Sequence, residues 1–231
     1  MLPLLLAAAS PGAVRAQTSF RVVDLHVDLP YQLVFHGHEL TEGSGQAALA
    51  KLREGGVSGV VLPLFVPRNV SPEGPRAVDL EDSYERVLRA LFLDQGLALP
   101  GCRDGGAPSA HVRTWLSFEG AGPLADAPEA LDGWVARGVS IVGLVHTEHN
   151  ALASSSGDAR RVEYGLTDAG RRLVRRAHQL GVAVDVSHAS DRAIDDVLTL
   201  SRETHGVVVA THSNARALCD HPRNLSDAQL R

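Results

Sequence analysis

Cysteine, methionine and aromatic residues are scarce in this 231-residue chain: two, one and 4% respectively. With only Cys102 and Cys219, at most one disulfide could form, in an exported protein, and their separation matches no structural zinc motif. Dense runs of lysine and arginine are missing as well, and the net charge is -5, which excludes a strong electrostatic footprint for nucleic acid or anionic lipid. Arg171, Arg172, Arg175 and Arg176 recur at helical spacing and read as a solvated helix face. No apolar stretch reaches the roughly 20 residues that a transmembrane helix needs. Nor does any low-complexity tract interrupt the chain.

What is there begins with residues 1–16 (MLPLLLAAASPGAVRA), a short apolar run followed by small residues before a cleavage point after Ala16. They are expected to form a signal peptide of an exported protein, periplasmic or extracellular, with residues 17–231 as a single domain. No basic residue precedes the apolar run, so a cytoplasmic location is the alternative. At 44% hydrophobic and 21% charged, the composition can fill a sizeable core. Short β-branched runs at 21–26, 57–65, 112–119, 139–146, 182–188 and 206–212 alternate with segments of helical period at 45–54, 80–95, 127–137, 167–180 and 190–202. Thr167 and Ser190 stand where helix N-caps belong. Stretches rich in Gly, Pro and Ser at 67–75, 99–109 and 151–158 read as loops. Such alternation predicts βα units around a parallel sheet, and barrels of this kind fill about 200 to 250 residues as one unit.

The polar residues fall at one end of that pattern. His26 and Asp28 close the first strand, and Glu119, His146, His188 and His212 close later ones. In a parallel barrel the C-terminal strand ends share one face, so these distant residues are expected to meet. Strand alternation sends His26 and Asp28 to the same side, offering an imidazole nitrogen and a carboxylate oxygen to one ion. A single His-x-Asp is weak, and a lone strand-end histidine is ordinary structure. The recurrence of His26, Asp28, Glu119, His188 and His212 at equivalent places points to metal. A carboxylate can bridge two ions roughly 3.5 to 4 Å apart. The expected arrangement is therefore two zinc ions holding a hydroxide between them, one on His26, Asp28 and Glu119, the other on Glu119, His188 and His212.

Several ordered blocks then resemble the membrane (renal-type) dipeptidase family of the amidohydrolase superfamily: 24–30 (DLHVDLP), 117–120 (SFEG), 144–147 (LVHT), 165–170 (GLTDAG), 185–190 (DVSHAS), 211–213 (THS) and 222–225 (PRNL). The resemblance implies a (β/α)8 TIM-type barrel with two zinc ions per chain. It also implies hydrolysis of dipeptides, a D-residue tolerated at the C-terminal position, with β-lactam opening in some members. It implies the metal ligands His26, Asp28, Glu119, His188 and His212. It further gives His146 a catalytic and substrate-binding role in stabilising the oxyanion, and Arg223 a grip on the dipeptide's free carboxylate.

One departure is expected. Only six strands are counted, so the α/β barrel reads as truncated after the sixth, and the Asp that ends the family's eighth strand and handles the leaving amine's proton has no counterpart. None of Asp191, Asp195, Asp196, Asp220 and Asp227 ends a strand. The alternatives are a catalytically inactive fragment, a non-catalytic zinc-binding relative, or another binuclear amidohydrolase, the last weakened by Glu119 standing where a modified lysine is usual. A homodimer stays open. His36, His38, His111, His149, His178, His205 and His221 read as structural or solvated.

Overall fold

The β-branched runs do become strands, because Val, Ile and Thr lose little by lying on a pleated surface and, in the central strands, gain burial on both faces, while the first strand stays exposed. In a computed structural model that describes residues 22–37, 47–67, 74–89 and 112–231, β1 (Val22–Asp24), β2 (Val57–Leu64), β3 (Arg113–Glu119), β4 (Val139–Gly143), β5 (Ala183–Asp185) and β6 (Val208–Val209) form one sheet. The order is β1-β2-β3-β4-β5-β6 and every neighbouring pair is parallel. This is a curled half-barrel of the TIM type, carrying six of the eight strands that a complete barrel has.

Helices cover the outer face: α1 (Leu29–His36), α2 (Leu49–Glu54), α3 (Ala77–Val87), α4 (Leu131–Ala136), α5 (Asp168–Leu180), α6 (Asp191–Thr204) and the short α7 (Asp227–Leu230). Thr167 and Ser190 cap α5 and α6 as expected, accepting from the N–H groups of Gly170 and Ala193. Between helices and sheet lies a core of Leu62, Leu64, Leu116 and Phe118 from the strands and Leu173, Val174, Val197 and Leu200 from α5 and α6. Burying each of these side chains contributes about 1.5–3 kcal/mol. Tyr84 and Phe118 meet Trp134 edge to face at 5.6 and 5.1 Å.

Several strands stop earlier than their apolar runs. β4, β5 and β6 end at Gly143, Asp185 and Val209, so His146, His188 and His212 lie on the loops just beyond, while only Glu119 closes its strand. The chain leaves the ladder there because it must turn; His188 turns most sharply, with φ 69. α1 follows β1 directly, which the helical period at 45–54 had not suggested, and the run at 127–137 splits into a 3-10 turn and α4. Residues 1–16, 99–109, Cys102, His38 and His111 lie outside the described residues. No helix among the described residues is long and apolar enough to cross a membrane.

Candidate metal centre

Register brings the rim together: Glu119 stands opposite Gly143, Gly143 opposite Asp185 and Asp185 opposite Val209. A side chain at Gly143 would meet the Phe118 carbonyl at 2.8 Å, so this neighbour of Glu119 has to be small. Glu119 is 9% exposed, and its Oε1 is the focus of the site. The Nε2 atoms of His188, His26, His146 and His212 lie 3.1, 3.5, 3.6 and 3.6 Å from it. Asp28 sits 3.4 Å from His26 Nε2 and is more open to solvent.

Two groups of ligand-type atoms emerge, His26 with Glu119 and His212, and Glu119 with His146 and His188. The pairing differs from the one read off the sequence: the His212 ring lies 3.8 Å from His26 and 4.9 Å from His188. Glu119 belongs to both groups. A divalent ion fits this donor set: His212 Nε2, which faces Glu119, is buried without a hydrogen-bond partner, and imidazole with carboxylate suits zinc.

The electrostatics keep the imidazoles available. Burial pulls His146 down to about 4, and His188 and His212 each to about 3, so all three are neutral near pH 7 with a free lone pair. Burial also lowers His26, but the hydrogen bond to Asp28 and the carboxylate charges around it leave it raised overall. The same hydrogen bond lowers Asp28, whereas burial raises Glu119. A buried carboxylate and a crowd of neutral imidazoles make an environment that a cation would relieve.

Arg223 reaches this face from the loop before α7. Its Nη2 donates to the His212 carbonyl at 3.4 Å, and its charge depresses His146, His188 and His212 further. Beside Glu119 and His146 opens a cleft of about 690 Å³, lined also by Phe65, Gly120, His149 and Arg160.

Sequence reasoning missed the residues that hold the loops. The Ser155 hydroxyl lies 2.6 Å from the His146 carbonyl and 3.1 Å from that of His188, and Ser156 adds its N–H and hydroxyl to the latter. With the single Ser155 proton directed to the nearer His146 carbonyl, the turn at His188 is held by the two donors of Ser156. Asp185 is buried at the end of β5 and accepts from Ser187 and Thr211. A charged residue inside the apolar run 182–186, opening the block 185–190, was its signal. His149 is structural in that its Nδ1 accepts from the Ser155 N–H. His178 pairs with Thr204, and His221 accepts from the Arg223 N–H. Cys219 is exposed.

With this geometry in hand, likeness to known proteins becomes informative. Residues 12–231 match the membrane dipeptidase family, peptidase family M19. The chain belongs to that family. It is 27% identical to an uncharacterised dipeptidase of Schizosaccharomyces pombe, over 92% of this chain and 56% of the relative. It is 30% identical to dipeptidase 3 of Homo sapiens, over 90% of this chain and 44% of the relative. The crystal structure of the probable dipeptidase PvdM from Pseudomonas aeruginosa superposes with a TM-score of 0.73 at 30% identity, covering 91% of this chain and 56% of that one. This family member thus spans about half the length of the curated relatives it matches. The family consists of metallopeptidases, and the rim of this chain carries groups able to bind metal.

Proposed function

We propose that this M19 chain serves a zinc-dependent dipeptidase, with two zinc ions held by His26, Asp28, Glu119, His188 and His212. The observation that carries the reading is the focus of four imidazole Nε2 atoms within 3.6 Å of one buried carboxylate oxygen, that of His212 being buried without a hydrogen-bond partner. Bound zinc supplies a Lewis acid for the scissile carbonyl and an activated water.

The chain's own residues do the rest. Glu119, common to both groups of ligand-type atoms, would serve both ions, while His146 is left free for the substrate. His146, at the mouth of the cleft and neutral, donates a hydrogen bond where the tetrahedral oxyanion develops, an interaction worth most where water is excluded. Arg223, desolvated beside His212, donates paired N–H bonds to the free carboxylate of the dipeptide, which selects substrates with that group close to the scissile bond. The cleft has the size range of small-molecule sites, which supports a substrate as small as a dipeptide, and a D-residue at its C-terminal position is part of the proposal.

The test is zinc content and hydrolysis of one L-L and one L-D dipeptide by the chain, beside His188→Ala and Arg223→Ala. Near two zinc per chain is expected, with His188→Ala losing zinc and activity and Arg223→Ala raising KM while keeping zinc. Zinc without turnover would mean a non-catalytic relative, and a chain that takes up no zinc would overturn the site.

A further inference from the structure

Next to His212 stands a short line of groups that the mechanism above does not use. Asp185 Oδ1 accepts from two backbone N–H groups, of Ser187 at 2.9 Å and of Thr211 at 3.2 Å. Its Oδ2 lies 2.5 Å from Thr211 Oγ1, and Thr211 Oγ1 lies 2.8 Å from His212 Nδ1. At the far side of that ring, Nε2 is buried, has no hydrogen-bond partner and sits 3.6 Å from Glu119 Oε1.

Counting protons decides the direction of this line. A threonine hydroxyl has one proton to give, and an ionised carboxylate can only accept. If Thr211 sent its proton to His212, two oxygens would face each other at 2.5 Å with no hydrogen between them. The proton therefore goes to Asp185, and Thr211 Oγ1 must accept from His212. We propose that Asp185 and Thr211 act as positioning residues, a hydroxyl relay that fixes His212 with its proton on Nδ1 and its lone pair on Nε2, facing Glu119.

The rest of the surroundings holds the ring in that pose. Ser187 Oγ accepts from the His212 N–H at 3.2 Å, Arg223 donates to the His212 carbonyl, and the His26 ring packs at 3.8 Å. Ser187 Oγ, 3.4 Å from Thr211 Oγ1, is the only other group in contact with that hydroxyl among the hydrogen bonds described, and it is far longer than the carboxylate contact. A ring turned over to offer Nδ1 would break the relay and point a C–H at Thr211. The purpose of the relay rests on the reading of His212 as a metal ligand: it delivers a lone pair in the right direction before any ion arrives.

Replacing Asp185 by Asn reverses the line. The amide oxygen must stay at Oδ1 to accept the two backbone N–H groups, so the NH₂ faces Thr211 Oγ1 and donates to it. Thr211 then turns its own proton to His212 Nδ1, and the His212 proton moves to Nε2, directly opposite Glu119. Thr211→Val removes the relay at nearly constant shape, and Thr211→Ser keeps the hydroxyl.

The experiment has two readouts on the full chain. Long-range 1H–15N spectra of the metal-free protein report which nitrogen of His212 carries the proton, and Co2+ titration followed by its visible absorption reports affinity. Expected are an Nδ1–H tautomer in the unaltered chain and in Thr211→Ser, and an Nε2–H tautomer in Asp185→Asn. The Co2+ dissociation constant should rise about 10- to 100-fold in Asp185→Asn and Thr211→Val, the usual range for losing such a partner. An Nε2–H tautomer in the unaltered chain, or no change of tautomer and affinity in well-folded Asp185→Asn, overturns the relay. If the unaltered chain shows the expected tautomers but takes up no Co2+, the relay stands and the metal-centre reading falls.

Discussion

Ser155 shows how much a small side chain can hold. It is 3% exposed, its hydroxyl faces the carbonyls of both His146 and His188, and it accepts in turn from the Gly157 N–H at 3.1 Å. Ser155→Ala leaves the His146 carbonyl without this donor while Ser156 still serves His188. The expected cost is about 1–3 kcal/mol, the penalty for an unsatisfied buried group, read as a lower urea midpoint. An unchanged midpoint would show that water replaces the hydroxyl. At this scale the sequence discloses the metal-ligating types well, because histidine and carboxylate at successive strand ends have few other reasons to recur. It hides Ser155, Thr211 and Asp185, whose importance lies in hydrogen bonds to residues far away in the chain. Serine and threonine in a loop look alike whether they hold a site or face water.

Among the elements, α5 was readable almost to the residue, since Thr167 caps it and Gly181 ends it in the left-handed conformation with φ 73. The strands were readable in number and order but not in extent. The hydrophobic run continues past the ladder at β5 because Val186, Ser187 and His188 stay buried after leaving the sheet, and burial is what the pattern reports, whereas the residues after β6 are half-buried. α1 was missed because a strand-end metal motif and a helix start overlap at Asp28 and Leu29. Close packing of α5 against the preceding loop gives a test of its own. Gly to Ala near a helix start ordinarily stabilises, by about 0.5–1 kcal/mol. At Gly170 a methyl group would meet the Leu152 carbonyl oxygen at 2.1 Å. Gly170→Ala is therefore expected to lower the thermal midpoint, and a rise would mean that the loop 151–158 yields without loss.

For the whole molecule, the proposed ligands come from β1, β3, β5 and β6, so an ion bound to them joins both edges of the described sheet. Mass action then makes metal a stabiliser of the entire fold, worth about 2.7 kcal/mol when free metal exceeds its dissociation constant 100-fold. Melting the chain with zinc and with a chelator should give a clearly higher midpoint with zinc; equal midpoints would mean that no ion bridges the sheet. The parallel sheet was legible because βα alternation predicts parallel strands, and the barrel's sequential order came from the resemblance in motifs, since doubly wound sheets alternate in the same way.

That sequential order has a consequence for synthesis. Each new strand leaving the ribosome pairs with the one just before it, so the sheet can lengthen as the chain grows, with no waiting for a distant partner. The metal rim obeys a different clock. Glu119 is in place early, yet its burial against His188 and His212 has to await β5 and β6. A nascent chain thus spends part of its life with a carboxylate awaiting its imidazoles, so the proposed ion capture has to follow the arrival of β6 rather than seed the first strands.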